Sequence, residues 1–124
     1  MNDLASLIQS SVAAALAEDI GTGDWTAQLI DANASANAHV VTRNDAVIAG
    51  APWFDACFRQ LDPAVVIEWA VRDGVSARAG DTLATLRGNA RALLTGERTA
   101  LNFLQLLSAV ATVTRSCSVP PVFS

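Results

Sequence analysis

Apolar residues along the first twenty positions recur at helical spacing. They fall at i, i+3, i+4, i+8, i+11 and i+12, counted from the first of them: Leu4, Leu7, Ile8, Val12, Ala15 and Leu16. Because an α-helix returns its side chains to one face about every 3.6 residues, this spacing predicts an amphipathic helix. Two glycines within residues 18–24, Glu-Asp-Ile-Gly-Thr-Gly-Asp, permit turns closed to other residues, so we expect the helix to end there.

The next part of the chain alternates strand-like and helix-like segments. Residues 36–43 and 46–50 are strand-like, and Asn44-Asp45 is the turn signal between them. Pro52 fits the first turn of a helix, which we expect to extend to Leu61.

The clearest strand lies at residues 65–71, Val-Val-Ile-Glu-Trp-Ala-Val, because β-branched and aromatic residues fit a pleated sheet. Turns at residues 72–74 and 79–81 enclose a short segment. Residues 82–87 alternate Leu83 and Leu86 with smaller side chains and are weakly strand-like. Asn89 is a candidate N-cap for a last long helix. Short strands joined by tight turns favour a mainly antiparallel sheet with helices on one face, which is an α+β fold.

The helical pattern is lost after Arg115, where residues 116–124 read Ser-Cys-Ser-Val-Pro-Pro-Val-Phe-Ser. Pro120-Pro121 excludes a helix in this segment, because proline removes a backbone donor and clashes with the preceding turn. We therefore predict one domain at residues 1–112 and an aberrant or truncated tail at residues 113–124. A frameshift or a premature stop would produce such a tail.

Charge is distributed unevenly along the chain, and this narrows the possible functions. The net charge is −4, but residues 1–42 contain five acids and neither lysine nor arginine. This argues against a nucleic-acid-binding protein, which needs a basic face to displace counterions from phosphates. The chain contains no lysine, which excludes a Schiff-base lysine, a P-loop lysine and a lysine-tethered lipoyl or biotinyl carrier.

The cysteines and the single histidine form no recognisable metal-binding pattern. Cys57 and Cys117 lack Cys-x-x-Cys spacing, so neither a zinc site nor a disulfide framework is predicted. Cys57 lies in an apolar stretch and is interpreted as a core residue; His39 is interpreted as a structural or surface residue. Residues 99–114 are too short and too polar a run for a membrane span. Since the N-terminus also lacks the features of a signal peptide, we expect a cytoplasmic protein.

A narrow polar seam is expected on the last helix. At about 100° per residue, its members fall on one side of an otherwise apolar helix: Arg98, Asn102, Gln105, Ala109 and Thr112. One interpretation is a seam that faces solvent or another subunit. The other is a cleft in which Arg98 offers a fork of donors to a carboxylate or phosphate. Composition alone does not decide between them.

One segment of this helix carries a specific resemblance. Residues 97–105, Glu-Arg-Thr-Ala-Leu-Asn-Phe-Leu-Gln, with residues 108–112, Ser-Ala-Val-Ala-Thr, resemble the start of the barrel in quinolinate phosphoribosyltransferases, the carboxylating nicotinate-nucleotide pyrophosphorylases. Three further segments agree in order: residues 17–26, residues 46–50, and the pair Asp73-Gly74 to Gly80-Asp81. The resemblance covers roughly residues 15–115.

The resemblance implies an α/β sandwich that precedes an open α/β barrel. It also implies a reaction in which phosphoribosyl pyrophosphate and quinolinate give nicotinate mononucleotide, pyrophosphate and carbon dioxide, with magnesium. In a homodimer with composite active sites, the arginine matching Arg98 would bind a quinolinate carboxylate in the neighbouring subunit. The resemblance assigns no catalytic residue and no metal ligand to this chain, and implies neither nucleic-acid nor membrane binding.

A barrel of this type needs on the order of 200 residues or more. The catalytic barrel is therefore expected to be absent from these 124 residues, and the chain alone is expected to be inactive and to bind no cofactor. Two alternatives stay open. One is a molybdenum-transport-associated ModD-type relative, which shares the architecture and differs in barrel residues. The other is a non-catalytic protein-interaction domain.

Overall fold

The computed structural model describes residues 2–21, 25–116 and 123. The chain opens with α1 (Asn2–Gly21), and a short helix α2 (Trp25–Gln28) follows. The predicted first helix is confirmed, but its buried face is narrower than the apolar pattern suggests. Ile8, Val12 and Leu16 are buried, whereas Leu4 and Leu7 are more than half exposed. α1 ends at Gly21, within the predicted range of residues 18–24, and residues 22–24 lie outside the described residues.

A three-stranded antiparallel sheet forms one layer of the domain. Its order is β1 (Ser35–Val41), β5 (Thr82–Asn89), β3 (Val66–Trp69), so that β5 is the central strand. Leu86 lies opposite Ala38 on one side and Ile67 on the other. These residues belong to the apolar inner face, because side chains alternate across a sheet. The neighbouring positions of the outer face are exposed: Asn37, His39, Glu68, Thr85 and Arg87.

A second, two-stranded sheet pairs β2 (Ala46–Val47) with β4 (Ser76–Ala77) in antiparallel register. The predicted strand at residues 46–50 is thus confirmed only at its start, since the chain turns into a helix at Gly50. That helix is α3 (Ala51–Leu61), which has proline in its first turn, as predicted.

The last element is α4 (Ala90–Ser116), a helix of 27 residues. Asn89 caps it as predicted, because its Oδ1 accepts the Ala92 amide hydrogen at 3.0 Å. α3 and α4 pack against each other and cover the inner face of the larger sheet, with Phe54, Phe58, Leu83 and Leu86 in a common core. The predicted α+β class, with an antiparallel sheet, helices on one face and a long last helix, is confirmed.

The long helix α4 buries every fourth residue along one line. This buried row consists of Ala92, Gly96, Ala100, Leu104, Ser108 and Thr112. Residues four apart form a ridge that drifts slowly around a helix, so the buried row changes direction as α4 passes its neighbours. The helix continues to Ser116, beyond the predicted domain limit at residue 112. The predicted effect of Pro120-Pro121 lies outside the described residues.

Candidate functional site

The first turn of α4 is tied to the segment before β1. The Asn89 side-chain amide donates to the Ala32 carbonyl at 2.6 Å. Arg91 is the second residue of α4. It donates from Nε to the Ile30 carbonyl at 2.5 Å and from a terminal nitrogen to the Gln28 carbonyl at 3.4 Å. These bonds fix the direction in which α4 leaves the sheet.

Gly96 allows α4 to approach α3 closely. A Cβ at this position would lie 2.9 Å from Phe58 ring atoms and 3.0 Å from a Leu61 methyl carbon. Such distances are too short for carbon atoms, so any larger residue would push the two helices apart. Glycine inside a helix is unfavourable by about 0.5–1 kcal/mol relative to alanine, and here close packing explains its presence.

Arg98 lies half a turn after Gly96, and its side chain is exposed. Asn102, one turn further on, is exposed as well. Among residues 2–21, 25–116 and 123, no hydrogen bond or ion pair joins the Arg98 guanidinium to another residue. The guanidinium therefore keeps its planar fork of donors available for an anion outside this domain.

Thr99, the residue after Arg98, points inward and is 2% exposed. Its hydroxyl donates to the Asp19 carboxylate near the end of α1. The same carboxylate influences Cys57 on α3: burial and then the charge of Asp19 raise the pKa of that thiol to about 12. Cys57 is thus an inert buried thiol, as the sequence predicts, and α1, α3 and α4 meet behind Arg98.

Two further hydroxyls of α4 bond to the strand β2 and the residue pair after it. Ser108 Oγ accepts the Ala49 amide hydrogen at 2.9 Å and donates to the Ala49 carbonyl at 3.0 Å. Thr112 Oγ1 does the same at Val47, with distances of 2.9 and 3.3 Å. The predicted polar seam is therefore wrong at its C-terminal end, since Thr112 is 2% exposed and bonded inside the domain.

The exposed residues near Arg98 form a different line, four residues apart. This exposed row consists of Arg98, Asn102, Leu106, Val110 and Thr114. Its apolar members are 63% and 58% exposed at Leu106 and Val110. A cation, an amide and two apolar side chains thus face outward together from a helix whose other side is fixed.

The glycine and aspartate motifs hold together the segments against which this helix packs. Both Asp73 carboxylate oxygens accept backbone hydrogens at the start of α3, from Gly50 at 3.0 Å and from Ala51 at 3.1 Å. The Gly74 amide donates to the Ile48 carbonyl at 2.7 Å, and the Gly80 amide donates to the Thr42 carbonyl at 2.7 Å. The two turns predicted from the sequence clamp β2 and the start of α3.

The histidine and cysteine residues considered as metal ligands do not come together in the described part of the chain. His39 is exposed on the outer face of β1, opposite Thr85. Cys117 lies outside the described residues. Within the described part of the chain, no group of three or more histidine, cysteine, aspartate or glutamate side chains could hold a metal ion. No described helix has both the length and the apolar character that crossing a bilayer requires.

Sequence reasoning selected Arg98 but did not identify its supports. Asp19, Thr99 and Ser108 all lie in the segments that carry the family resemblance, which was the available signal. Their hydrogen-bond partners are distant in sequence, 80 residues apart for Asp19 and Thr99, so spacing rules did not connect them.

Residues 24–108 match the family model described as the N-terminal domain of quinolinate phosphoribosyl transferase. A similar curated protein, a probable carboxylating nicotinate-nucleotide pyrophosphorylase of Synechocystis sp., is 42% identical over 100 residues, which cover 81% of this chain and 34% of that protein. Its Bacillus subtilis counterpart is 43% identical over 98 residues, which cover 79% and 34%. The chain therefore spans about a third of the length of the curated relatives that it matches.

The fold agrees with solved structures. A nicotinate-nucleotide pyrophosphorylase from Francisella tularensis superposes with a TM-score of 0.84 at 39% sequence identity. The superposition covers 88% of this chain and 39% of that one. The architecture described above is thus shared with part of a larger protein.

Proposed function

Because this chain belongs to the quinolinate phosphoribosyltransferase family as its N-terminal domain, we propose that it serves as the substrate-carboxylate-binding part of such an enzyme. The enzyme transfers the phosphoribosyl group of phosphoribosyl pyrophosphate to the ring nitrogen of quinolinate. Pyrophosphate leaves in that transfer, and loss of carbon dioxide gives nicotinate mononucleotide for NAD biosynthesis. The observation that supports this role is Arg98, an exposed guanidinium without a partner among the described residues, next to Thr99, which bonds α4 to α1.

The chemistry of the guanidinium fits a planar carboxylate. Its donors match the two oxygens of a carboxylate, and such charge-assisted hydrogen bonds contribute about 1.5–3 kcal/mol each. A pyridine dicarboxylate carries two negative charges, so binding it in a dry cleft requires cations that remain charged. Arg98 supplies one of these cations, and the other groups belong to the rest of the enzyme.

The exposed row also supports a composite active site in a homodimer. Arg98 and Asn102 are followed along this row by Leu106 and Val110, whose apolar side chains are left exposed in this domain. A second subunit that covers the apolar part would bring its own binding groups next to Arg98. In this arrangement each site combines Arg98 of one subunit with the catalytic groups of the other.

Magnesium, which the family resemblance implies for the reaction, is not assigned to this domain. Among the described residues, no three or more histidine, cysteine, aspartate or glutamate side chains come together as a metal-binding group. Since the chain spans about a third of its relatives, we expect the 124-residue chain alone to show no turnover. We place the complete enzyme in the cytoplasm, in agreement with its proposed biosynthetic role.

The role of Arg98 is tested in the full-length enzyme that carries this domain. Arg98→Ala should raise the KM for quinolinate at least about 10-fold, because it removes charge-assisted hydrogen bonds, while the KM for phosphoribosyl pyrophosphate stays unchanged. Arg98→Lys should recover little, since an ammonium group lacks the planar fork. Steady-state kinetics with each substrate varied in turn separates these effects. An unchanged KM for quinolinate would contradict the proposed role.

Subunit mixing tests whether Arg98 acts across the dimer. Arg98→Ala subunits are combined with subunits inactivated in the barrel, so that hybrid dimers contain one site with both intact halves. Recovered activity supports the composite site. Absence of recovery, with subunit exchange demonstrated by differently tagged subunits, would mean that Arg98 serves its own subunit.

A further inference from the structure

We propose that Thr99, Ser108 and Thr112 are positioning residues, whose buried hydroxyls fix the axial position and the rotation of α4 and thereby hold Arg98 where the substrate carboxylate binds. This inference rests on the proposed function of Arg98 and extends it to three residues that touch no substrate. Of the four buried polar side chains in the described part of the chain, three are these hydroxyls of α4.

Apolar packing alone would leave the position of α4 poorly defined. Hydrophobic burial is non-directional, and the buried row consists largely of small side chains, Ala92, Gly96 and Ala100 among them. Apolar contacts carry no directional requirement, so they constrain sliding and rotation of the helix less sharply than hydrogen bonds do. Hydrogen bonds require defined distances and angles, and buried polar groups are well attested as devices that select one register.

The bonds to β2 match the periodicities of a helix and a strand. Ser108 and Thr112 are four residues apart, about 6 Å along a helix axis. Their partners Ala49 and Val47 are two residues apart, about 6.6–6.8 Å in extended backbone. Each hydroxyl bonds the amide and the carbonyl of its partner residue, as a neighbouring strand would.

Ser108 and Thr112 of α4 therefore bond to the edge of β2, and of the residues after it, where a further strand would otherwise pair. The other edge of β2 is already paired with β4, through Ala46 opposite Ala77 and Val47 opposite Ser76. If α4 moved by one turn, about 5.4 Å, one hydroxyl would lose its partner. Depending on the direction, the amide and carbonyl of the buried Val47 or of the partly buried Ala49 would be left unpaired. Buried polar groups without hydrogen bonds are strongly unfavourable, so the observed register is selected over its neighbours.

Thr99 fixes the rotation of α4 next to Arg98. Successive residues of a helix point about 100° apart, so the direction of one side chain sets that of the next. The bond from Thr99 to the Asp19 carboxylate ties this part of α4 to α1, whereas Ser108 and Thr112 tie its later turns to β2. The Thr99 bond thus fixes the rotation of the helix backbone at Arg98. The Ser108 and Thr112 bonds fix its position along the helix axis.

Matched substitutions in the full-length enzyme separate the hydrogen bond from packing. Valine keeps the volume of threonine and removes the hydroxyl, whereas serine keeps the hydroxyl and removes a methyl group. Thr99→Val and Thr112→Val should each raise the KM for quinolinate about 10-fold, with the KM for phosphoribosyl pyrophosphate unchanged, because small displacements of a binding group are costly. Thr99→Ser and Thr112→Ser should stay within about twofold of the parent, as should Thr85→Val, a control on the exposed outer face of the sheet.

A double-substitution test shows whether the effect passes through Arg98. If it does, Thr99→Val should add nothing to the raised quinolinate KM of Arg98→Ala. Independent multiplication of the two effects would overturn the proposal, as would serine variants impaired as much as valine variants. If Arg98→Ala raises the KM but neither valine variant does, only the positioning role fails. If Arg98→Ala itself leaves the KM unchanged, the proposed function fails too. Where a valine variant does not fold, the remaining valine variant carries the same comparison.

Discussion

The buried row and the exposed row of α4 treat polar groups in opposite ways. In the buried row, Ser108 and Thr112 each bond both backbone groups of a partner residue. In the exposed row, Arg98 has no partner among the described residues, and Leu106 and Val110 are left uncovered. The two rows run in parallel along one helix, only a half turn apart at Gly96 and Arg98.

The difference between the rows distinguishes residues that stabilise the domain from residues that are available for binding. A polar group that is buried needs a partner within the domain, so the satisfied hydroxyls report on how the domain holds together. A cation without such a partner, on a helix that is fixed from its other side, is available to an outside anion. The same reasoning applies to the Asp73-Gly74 motif, whose carboxylate accepts two backbone hydrogens at the start of α3.

We expect the largest loss of stability when α4 is displaced from its support at Gly50. This residue has a φ of 106°, and an added Cβ would lie 2.9 Å from a Leu107 methyl carbon of α4. Gly50→Ala combines strain from the positive φ with overpacking, so we expect a loss of about 2–5 kcal/mol in the free energy of unfolding. Denaturant titration of the protein measures this loss.

Gly80→Ala is the matched control for that experiment. Gly80 has a similar φ of 92°, but nothing lies within 4 Å of the added Cβ. Only the backbone strain should remain, about 1–2 kcal/mol. Equal losses at Gly50 and Gly80 would show that the contact with α4 contributes nothing beyond the strain.

A smaller effect is expected from the cap at the start of α3. Asp73→Ala leaves the Gly50 and Ala51 amides without their carboxylate acceptor, which should reduce stability by about 1–2 kcal/mol. Asp73→Asn retains one acceptor oxygen and should fall between the parent and the alanine variant. A negative charge is also favoured at a helix N-terminus, so full recovery by asparagine is not expected.

Asp81→Ala serves as the control, because Asp81 accepts a single backbone hydrogen, from Arg78 in an exposed turn. Thermal unfolding of the three variants and the parent provides the ranking. If Asp73→Ala is no more destabilising than Asp81→Ala, the carboxylate is dispensable for α3, and the motif needs another explanation.

Local features of the fold could be predicted from the sequence. The helical spacing of Ile8, Val12 and Leu16, the proline in the first turn of α3 and the Asn89 cap depend on neighbouring residues alone, and each was confirmed. The fold class followed from the order of these elements. The exposure of Arg98 was also anticipated, as part of a polar seam.

The remaining features depend on contacts between distant segments. The segment that forms β5 is only weakly strand-like in sequence, because Leu83 and Ala84 are both buried. The strand predicted there is confirmed, but its central place in the sheet was not predicted. Thr112 was assigned to the seam by counting 100° per residue. That count assumes that the same face of α4 is buried along its whole length. The buried row drifts around the helix instead, since α4 meets different elements along its length.

Only a small change in stability is expected from a polar pair that joins α3 to β3. Asp55 Oδ1 accepts a hydrogen bond from Trp69 Nε1 at 2.8 Å. Burial raises the pKa of the Asp55 carboxyl above its ordinary value of 3.8, and the nearby Asp73 charge acts in the same direction. The Trp69 bond and Arg59 oppose the shift without cancelling it.

A raised pKa means that the folded protein binds more protons than the unfolded chain as the pH rises from 3.8 upward. The contribution of Asp55 to stability is therefore fully present below that pH, and it is lost as the pH rises through the folded pKa. Asp55→Asn keeps an acceptor for Trp69 and removes the buried charge. Relative to the parent, this variant should gain stability between acidic and neutral pH, by less than about 1 kcal/mol because solvent screens a half-buried group. Denaturant titrations at several pH values would reveal the trend. A variant that instead loses relative stability towards neutral pH would show that the ionised carboxylate strengthens the bond to Trp69 by more than its burial opposes it.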